Sequence, residues 1–359
     1  MSESASAAAI GFARRWLLPR SVLSGMLCVL AAFAIGALLI AAIGRDPVLA
    51  YLSLFEASLG STNGLAETAI RTVPLAFCGI GIALAFRAGV FNVGAEGQLF
   101  IGGVAAAWMG LQLGGQPQWL VLPAMALAAA VAGAGWSAIA GVLKLKFRAD
   151  ELITTIMLNY IAIYFVGYLL HGPLQDPGSP LARTARLAAE ARLPMLLEGT
   201  RLHAGLLLVV VVAIVAQVFL WRSVAGFRLR AVGHNARAAE NTGMNVKAAL
   251  WTGFLICGAL SGLAGFSEVA GVQRRMIENL SPGFGYTAII VALLGQTNPL
   301  GVLAAAVLFA ALQIGSTTME SAAGVPSALT TVIQALVVLL LIGQNALPRL
   351  FRRRAVTGS

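Results

Sequence analysis

Charge is scarce in this sequence, and the residues of catalysis and metal binding are scarcer still. Asp, Glu, Lys and Arg make up only 11% of its 359 residues, where a soluble domain carries about a quarter, so a soluble globular fold is excluded. The three cysteines, Cys28, Cys78 and Cys257, lie inside apolar stretches with no CxxC or other ligand spacing and read as small core residues. The three histidines, His171, His203 and His234, are scattered without cysteine or carboxylate companions, so no metal centre is expected. There is no nucleophile elbow and no GxxxxGK[ST] phosphate loop, so neither hydrolytic chemistry nor nucleotide hydrolysis is expected of this chain.

What the sequence has in abundance is apolar length: 59% of residues are hydrophobic and the mean hydropathy is +0.87. A bilayer core of roughly 30 Å needs about 20 apolar residues per helix. Stretches of that kind run near Val22–Gly44, Thr68–Phe86, Gly97–Leu113, Trp119–Leu143, Leu152–Leu170, His203–Trp221, Ala248–Ala270, Phe284–Leu294, Leu300–Thr318 and Val325–Gly343. The expected fold is therefore an all-α polytopic membrane protein of about ten transmembrane helices. A cytoplasmic segment, residues 1–21, precedes a transmembrane domain over 22–345, and a basic cytoplasmic tail covers 346–359. The eighth stretch is interrupted by Gly283, Gly285, Gly295 and Pro299, the pattern of a broken or re-entrant helix. The first apolar stretch, at about 20 residues, is longer than a signal peptide's and lacks a clear cleavage site, so it reads as a retained helix.

Charge sets the orientation. With the N-terminus inside, the cytoplasmic segments hold Arg14, Arg15 and Arg20, then Arg87, then Lys144, Lys146 and Arg148, then Arg222, Arg228, Arg230, Arg237 and Lys247, then Arg349 with Arg352 to Arg354. That is 16 of the 24 basic residues. Both termini are then cytoplasmic. The net charge of +10 raises the question of nucleic acid, but no basic stripe is interleaved with aromatics. Retention of positive charge beside anionic membrane lipid accounts for the distribution, and no nucleic-acid partner is expected.

Polar residues at membrane depth mark function. The stretch RAGVFNVGAEGQ, Arg87 to Gln98, sets Asn92, Glu96 and Gln98 between two spans. Gly94 and Gly97 let the backbone turn and helices approach. Glu96 either contacts a solute or shapes the pathway by serving backbone N–H groups at the start of the third span. Asn159, with Tyr160, lies in the fifth span and either bonds a neighbouring helix or lines a pore. Glu67, Arg71 and Glu268 sit near span ends and read as pairing or snorkelling groups. Gly258, Gly262 and Gly265 read as a helix-packing ladder. The external loop 172–202 is either a docking rim or a loose connector. In the cytoplasmic loop 222–247, Asn235 is a helix N-cap, Ala236–Thr242 a short helix and Gly243 its left-handed end, giving either a docking element or an ordinary solvated loop.

Five stretches resemble a known family: FRAGVFNVGAEGQLFIGG from Phe86, ADELITTIMLNYIA from Ala149, GFRLRAVGHNARAAENTGMNV from Gly226, SGLAGFSEVAGV from Ser261 and SPGFGYTAIIVALLGQTNPLGVL from Ser281. They are similar to permease subunits of bacterial ABC importers of the simple-sugar and nucleoside class, within the branched-chain amino acid and ribose-type superfamily. FNVGAEGQ and ELITTIMLNY most resemble the nucleoside-type members. The resemblance implies a type II importer fold in the bacterial inner membrane. It also implies two permease subunits, here non-identical, two ABC ATPase subunits beneath them, and an extracytoplasmic binding protein or lipoprotein delivering solute. ATP and Mg would be bound by the ATPase and no cofactor by this chain. It makes Gly233, His234, Asn235, Ala236, Ala239, Glu240 and Gly243 the coupling element seated on that ATPase. The expected cargo is a nucleoside or related small polar solute; a simple sugar or branched-chain amino acid is the alternative, and an ion-coupled carrier working through Glu96 the rival of another class. Two departures fall at the eighth stretch. The family usually has an acid and a glycine where this chain has Tyr286, Thr287 and Ala288, and commonly a basic residue where it has Gln296.

Overall fold

The computed structural model describes the backbone of residues 20–337, 339–340 and 343, with side chains from Leu27 onward among them. Arg14, Arg15, the Arg20 side chain and the basic tail from Arg349 lie outside the described residues. The described chain is helical: α1 Arg20–Ala42, α2 Pro47–Leu59, α3 Thr62–Arg87, α4 Ala95–Gln112, α5 Gln118–Phe147, α6 Glu151–Leu170, α7 Gly205–Arg222, α8 Val224–His234, α9 Ala236–Asn241, α10 Val246–Ser267, α11 Phe284–Leu294 and α12 Pro299–Ala323. Among the described residues six helices are long and apolar enough to cross a membrane: α3, α5, α6, α7, α10 with its continuation to Gln273, and α12. Shorter apolar helices cover Leu27–Ala42, Pro47–Leu59, Phe284–Leu294 and Ala328–Val337. The apolar pattern does not announce α2, and α3 begins at Thr62, ahead of its apolar core, because Ser61 caps it by accepting from the Gly64 N–H at 3.0 Å.

Two compact units divide the chain, Met1–Leu54 with Gly315–Ser359, and Phe55–Ile314. In the first, the Tyr51 hydroxyl donates to the Phe33 carbonyl at 2.7 Å, joining α2 to α1. The second unit carries the site. Its centre is α10, which packs on α3, α4 and α5. The glycine ladder brings their backbones together: a Cβ at Gly258 would collide with the Gly133 carbonyl, one at Gly262 with the Ala129 carbonyl and one at Gly265 with the Leu99 carbonyl. Small residues let helices associate in lipid, where no hydrophobic effect drives them together. The α5–α6 turn is tight because Arg148 takes a left-handed φ of 57° and Asp150 caps α6 through the N–H groups of Leu152 and Ile153 at 2.9 and 3.2 Å; Lys144 and Glu151 pair across it.

After α10 the helix widens into a π-turn, Glu268–Gln273, and the chain reverses. The segment 274–283 then runs back alongside α4. Leu187 of the 172–202 loop bonds the Arg274 carbonyl at 2.9 Å, Met276 and Leu280 lie against Gly103 halfway down α4, and Gly285 meets Glu96 near its start. From there α11 runs on towards Arg87, the C-terminal end of α3. Eleven residues at about 1.5 Å each give a helix of roughly 16 Å, half a bilayer. The eighth stretch, Phe284–Leu294, is thus a short helix entered from a non-helical return segment, 274–283. The 172–202 loop is ordered, since Thr184, Leu187 and Leu193 donate backbone N–H groups to Met276, Arg274 and Ala270 at 2.9 to 3.0 Å.

Candidate functional site

Two helix breaks meet inside the second unit. One is Ala88–Gly94, between α3 and α4; the other is the return segment before α11. At their junction Glu96 is 2% exposed, and its carboxylate accepts the Gly285 N–H at 2.6 Å. Ser281 Oγ accepts from the Gly283 and Phe284 N–H groups at 3.1 and 2.9 Å. Glu96 therefore serves the N-terminus of α11, a different helix from its own, where its charge meets the positive end of the helix dipole. Gly285 allows it, since a Cβ there would lie 2.6 Å from the Glu96 Cα.

The remaining polar candidates brace this junction. Asn92 Oδ1 accepts the Gly94 N–H at 2.7 Å and the Gln98 side chain at 3.4 Å, while its Nδ2 donates to Ser137 at 3.5 Å. Asn159, fully buried, accepts the Gly97 N–H at 2.8 Å, donates to the Val93 carbonyl at 2.9 Å and reaches the Tyr286 hydroxyl at 3.3 Å. Gly97 lies so close that a Cβ would stand 2.9 Å from the Asn159 Cα. Gly94 precedes α4 as its cap without a side chain, so Asn159 supplies from α6 the oxygen that the α4 N-terminus lacks. Asn92, Glu96, Gln98 and Asn159 are thus brought together as a buried bracket, with Gly94 and Gly97 inside it. Tyr160 is not part of it: it is 51% exposed on α6.

The far end of α11 is held as well. Gln296 and Thr297 both have left-handed φ angles, 54° and 52°, costly for side chains of this kind, and their carbonyls accept from Arg87 at 3.1 and 3.2 Å. Arg87 and Arg230 of α8 both lie over the Trp221 ring, at 5.7 and 4.4 Å. Gly233, at the end of α8, is packed against the Arg87 carbonyl so closely that no Cβ fits, and its side-chain position would lie 2.9 Å from the Gly89 nitrogen. One segment, Arg87 to Glu96, therefore holds both ends of α11 and touches the short helix α8, which leads into α9.

Those helices form a pair, where the sequence pattern gives a single short helix inside a loop. Ser223 caps α8 and Asn235 caps α9, accepting the Ala238 N–H at 3.0 Å. The α9 helix is six residues long and ends in a Schellman turn, with Met244 N–H to the Ala239 carbonyl at 3.0 Å, Gly243 N–H to the Glu240 carbonyl at 2.9 Å, and Gly243 at φ 79°. Gly233, His234, Asn235, Ala236, Glu240 and Gly243 are exposed, as is Arg237. Ala239 is the exception at 5% exposed; its methyl group faces this chain's own helices and offers no outward contact.

On the side assigned outside, a cavity of about 400 Å³ opens between the outer end of α3, the π-turn and the return segment. Glu67, Arg71, Arg201, Glu268, Asn279 and Ser281 are among its lining residues, and Arg201 holds Glu67 through two bonds at 2.9 and 2.7 Å. Sequence reasoning gave Glu67, Arg71 and Glu268 to pairing and missed Arg201, Asn279 and Ser281. The available signal was four charged residues that all fall at outer span ends. Among the described residues no group of three His, Cys, Asp or Glu could hold a metal ion.

Comparison with known proteins decides the family. The description "branched-chain amino acid transport system / permease component" matches residues 64–342. The chain belongs to this permease family. It is 40% identical over 327 residues to the glucose ABC transporter permease protein TsgB13 of Haloferax volcanii, covering 88% of this chain and 86% of that one. It is 36% identical over 330 residues to the guanosine ABC transporter permease protein NupP of Bacillus subtilis, covering 90% and 93%. A second guanosine permease of that organism, NupQ, is 28% identical over 253 residues, covering 67% and 78%. The chain is thus an ABC importer permease, a multi-pass membrane transport subunit and not an enzyme.

Proposed function

We propose that this permease imports nucleosides, or a closely related neutral polar solute, as one half of a heteromeric permease pair. The pair is driven by a separate ABC ATPase that binds ATP and Mg, and an extracytoplasmic binding protein delivers the solute across the plasma membrane. The observation that carries this reading is the link at Gly233: the exposed, doubly capped α8–α9 pair abuts the Arg87–Glu96 segment that grips both ends of α11. Force applied by an ATPase at α9 has a direct route to α11, a helix too short to cross a bilayer. TsgB13, a glucose permease at 40% identity, and NupP, a guanosine permease at 36%, support a sugar and a nucleoside alike; the stretches FNVGAEGQ and ELITTIMLNY favour the nucleoside, and the presence of NupP and NupQ in one organism supports two unlike permeases. The test is co-purification with the partner permease and ATPase, followed by competition for labelled guanosine uptake in proteoliposomes. Guanosine is expected to be transported and displaced by other nucleosides. Competition by leucine, or full activity of this chain with its ATPase as a homodimer, would overturn the reading.

A further inference from the structure

Resting on the importer reading above, we propose that the outer cavity is a binding site, built within this single subunit, for the hydroxylated ring of a neutral solute: a sugar or the ribosyl unit of a nucleoside. The carrying observation is Glu268. It lies on the π-turn, an irregularity frequent at functional sites, is 5% exposed, and lines the cavity. Its carboxylate accepts no hydrogen bond from any described residue, and its charged neighbours are Arg71 and Arg201. A carboxylate so buried is expected to have partners. Arg201 is committed to Glu67 at the cavity mouth. That leaves Arg71 and Glu268, a cationic donor and an anionic acceptor, with capacity to spare in one space.

The lining selects a ligand chemistry. Two carboxylates and two guanidinium groups cancel, so the cavity offers no net attraction to a phosphate or other anion. A vicinal diol fits: each hydroxyl donates to a carboxylate while accepting from a guanidinium or carboxamide, and Gln273 and Asn279 add carboxamides that do both. Ile70 and Phe284 supply the apolar wall that the C–H face of a ring requires. The volume of about 400 Å³ lies in the range of small-molecule sites, roughly 300–1,000 Å³. An aliphatic amino acid would satisfy the charges and leave the carboxamides unpaired. The floor of the cavity is Ser281 and Phe284, the start of α11, so an occupant rests directly on the helix whose end Glu96 holds.

The test uses the assembled complex in proteoliposomes with Val272→Cys on the cavity wall and Cys28→Ser, labelled from outside by a hydrophilic maleimide without ATP. Guanosine or D-glucose at saturation is expected to slow labelling about tenfold, while 2′,3′-dideoxyguanosine and leucine leave it unchanged. Glu268→Gln should raise the half-protecting concentration about tenfold, the effect of losing one charge-assisted hydrogen bond. Gln273→Ala, expected to raise it about threefold, takes its place if Glu268→Gln does not assemble. Protection by neither guanosine nor D-glucose, equal protection by leucine, or wild-type protection in the variant measured would overturn the proposal. ATP-driven uptake in the same vesicles separates the two readings: uptake without protection removes the site alone, and protection without uptake removes the importer reading alone.

Discussion

Asn159→Leu tests the bracket most sharply, because leucine matches asparagine in size and removes all three of its hydrogen bonds. Two of the partners, the Gly97 N–H and the Val93 carbonyl, are then stranded at a fully buried position. Each orphaned backbone group costs about 1–3 kcal/mol in a protein interior. Interhelical hydrogen bonds within bilayers measure lower, about 0.6 to 1.7 kcal/mol, because the unfolded state in lipid finds partners too. Tyr286, partly exposed, can rehydrate its hydroxyl, so its share is small. The expected loss is therefore about 2–4 kcal/mol. Detergent-induced unfolding of the purified permease in mixed micelles, followed by circular dichroism, reads that difference. A loss below about 0.5 kcal/mol would refute the claim that Asn159 anchors the start of α4 to α6.

Three further outcomes follow from the same geometry. Glu96→Gln keeps the shape of the α11 cap and removes its charge, so uptake in vesicles should fall by tenfold or more with insertion and helix content near wild type, and normal uptake would remove the carboxylate from the mechanism. Arg87→Ala frees the strained Gln296–Thr297 turn from its two bonds; ATP hydrolysis should continue while its stimulation by solute is lost, whereas Arg87→Lys, retaining one donor, should recover part of it. Arg237→Glu, on the exposed face of α9, should weaken ATPase co-purification at least fivefold without changing stability, and undiminished binding would place the docking surface elsewhere.

The broken eighth span was legible because glycine and proline punctuate a stretch too short to cross a bilayer, and the glycine ladder because small residues recur at helical spacing. The caps of α9 were legible for the same local reason: Asn235 and Gly243 act within a few residues of themselves. What the sequence pattern hides is long-range. Glu96 reads either as a solute contact or as the cap of its own helix, and only the return of the chain 189 positions later sets the Gly285 N–H against it. Ala239 reads as a docking position because helical periodicity does not say which face of a six-residue helix meets its own chain. The cavity was hidden because Arg201, Glu268 and Asn279 come from a loop, a π-turn and a return segment, and no period links them. The helix α2 was missed because Ser53, Glu56 and Ser58 interrupt its apolar run.

The central claim, that this chain is driven by ATP through its cytoplasmic helix pair, is tested most directly by guanosine uptake into proteoliposomes holding the full complex, with ATP present and proton and sodium gradients collapsed by ionophores. Uptake that persists without gradients and stops when ATP is replaced by a non-hydrolysable analogue is the predicted result. Uptake that follows the gradients and ignores the analogue would contradict it.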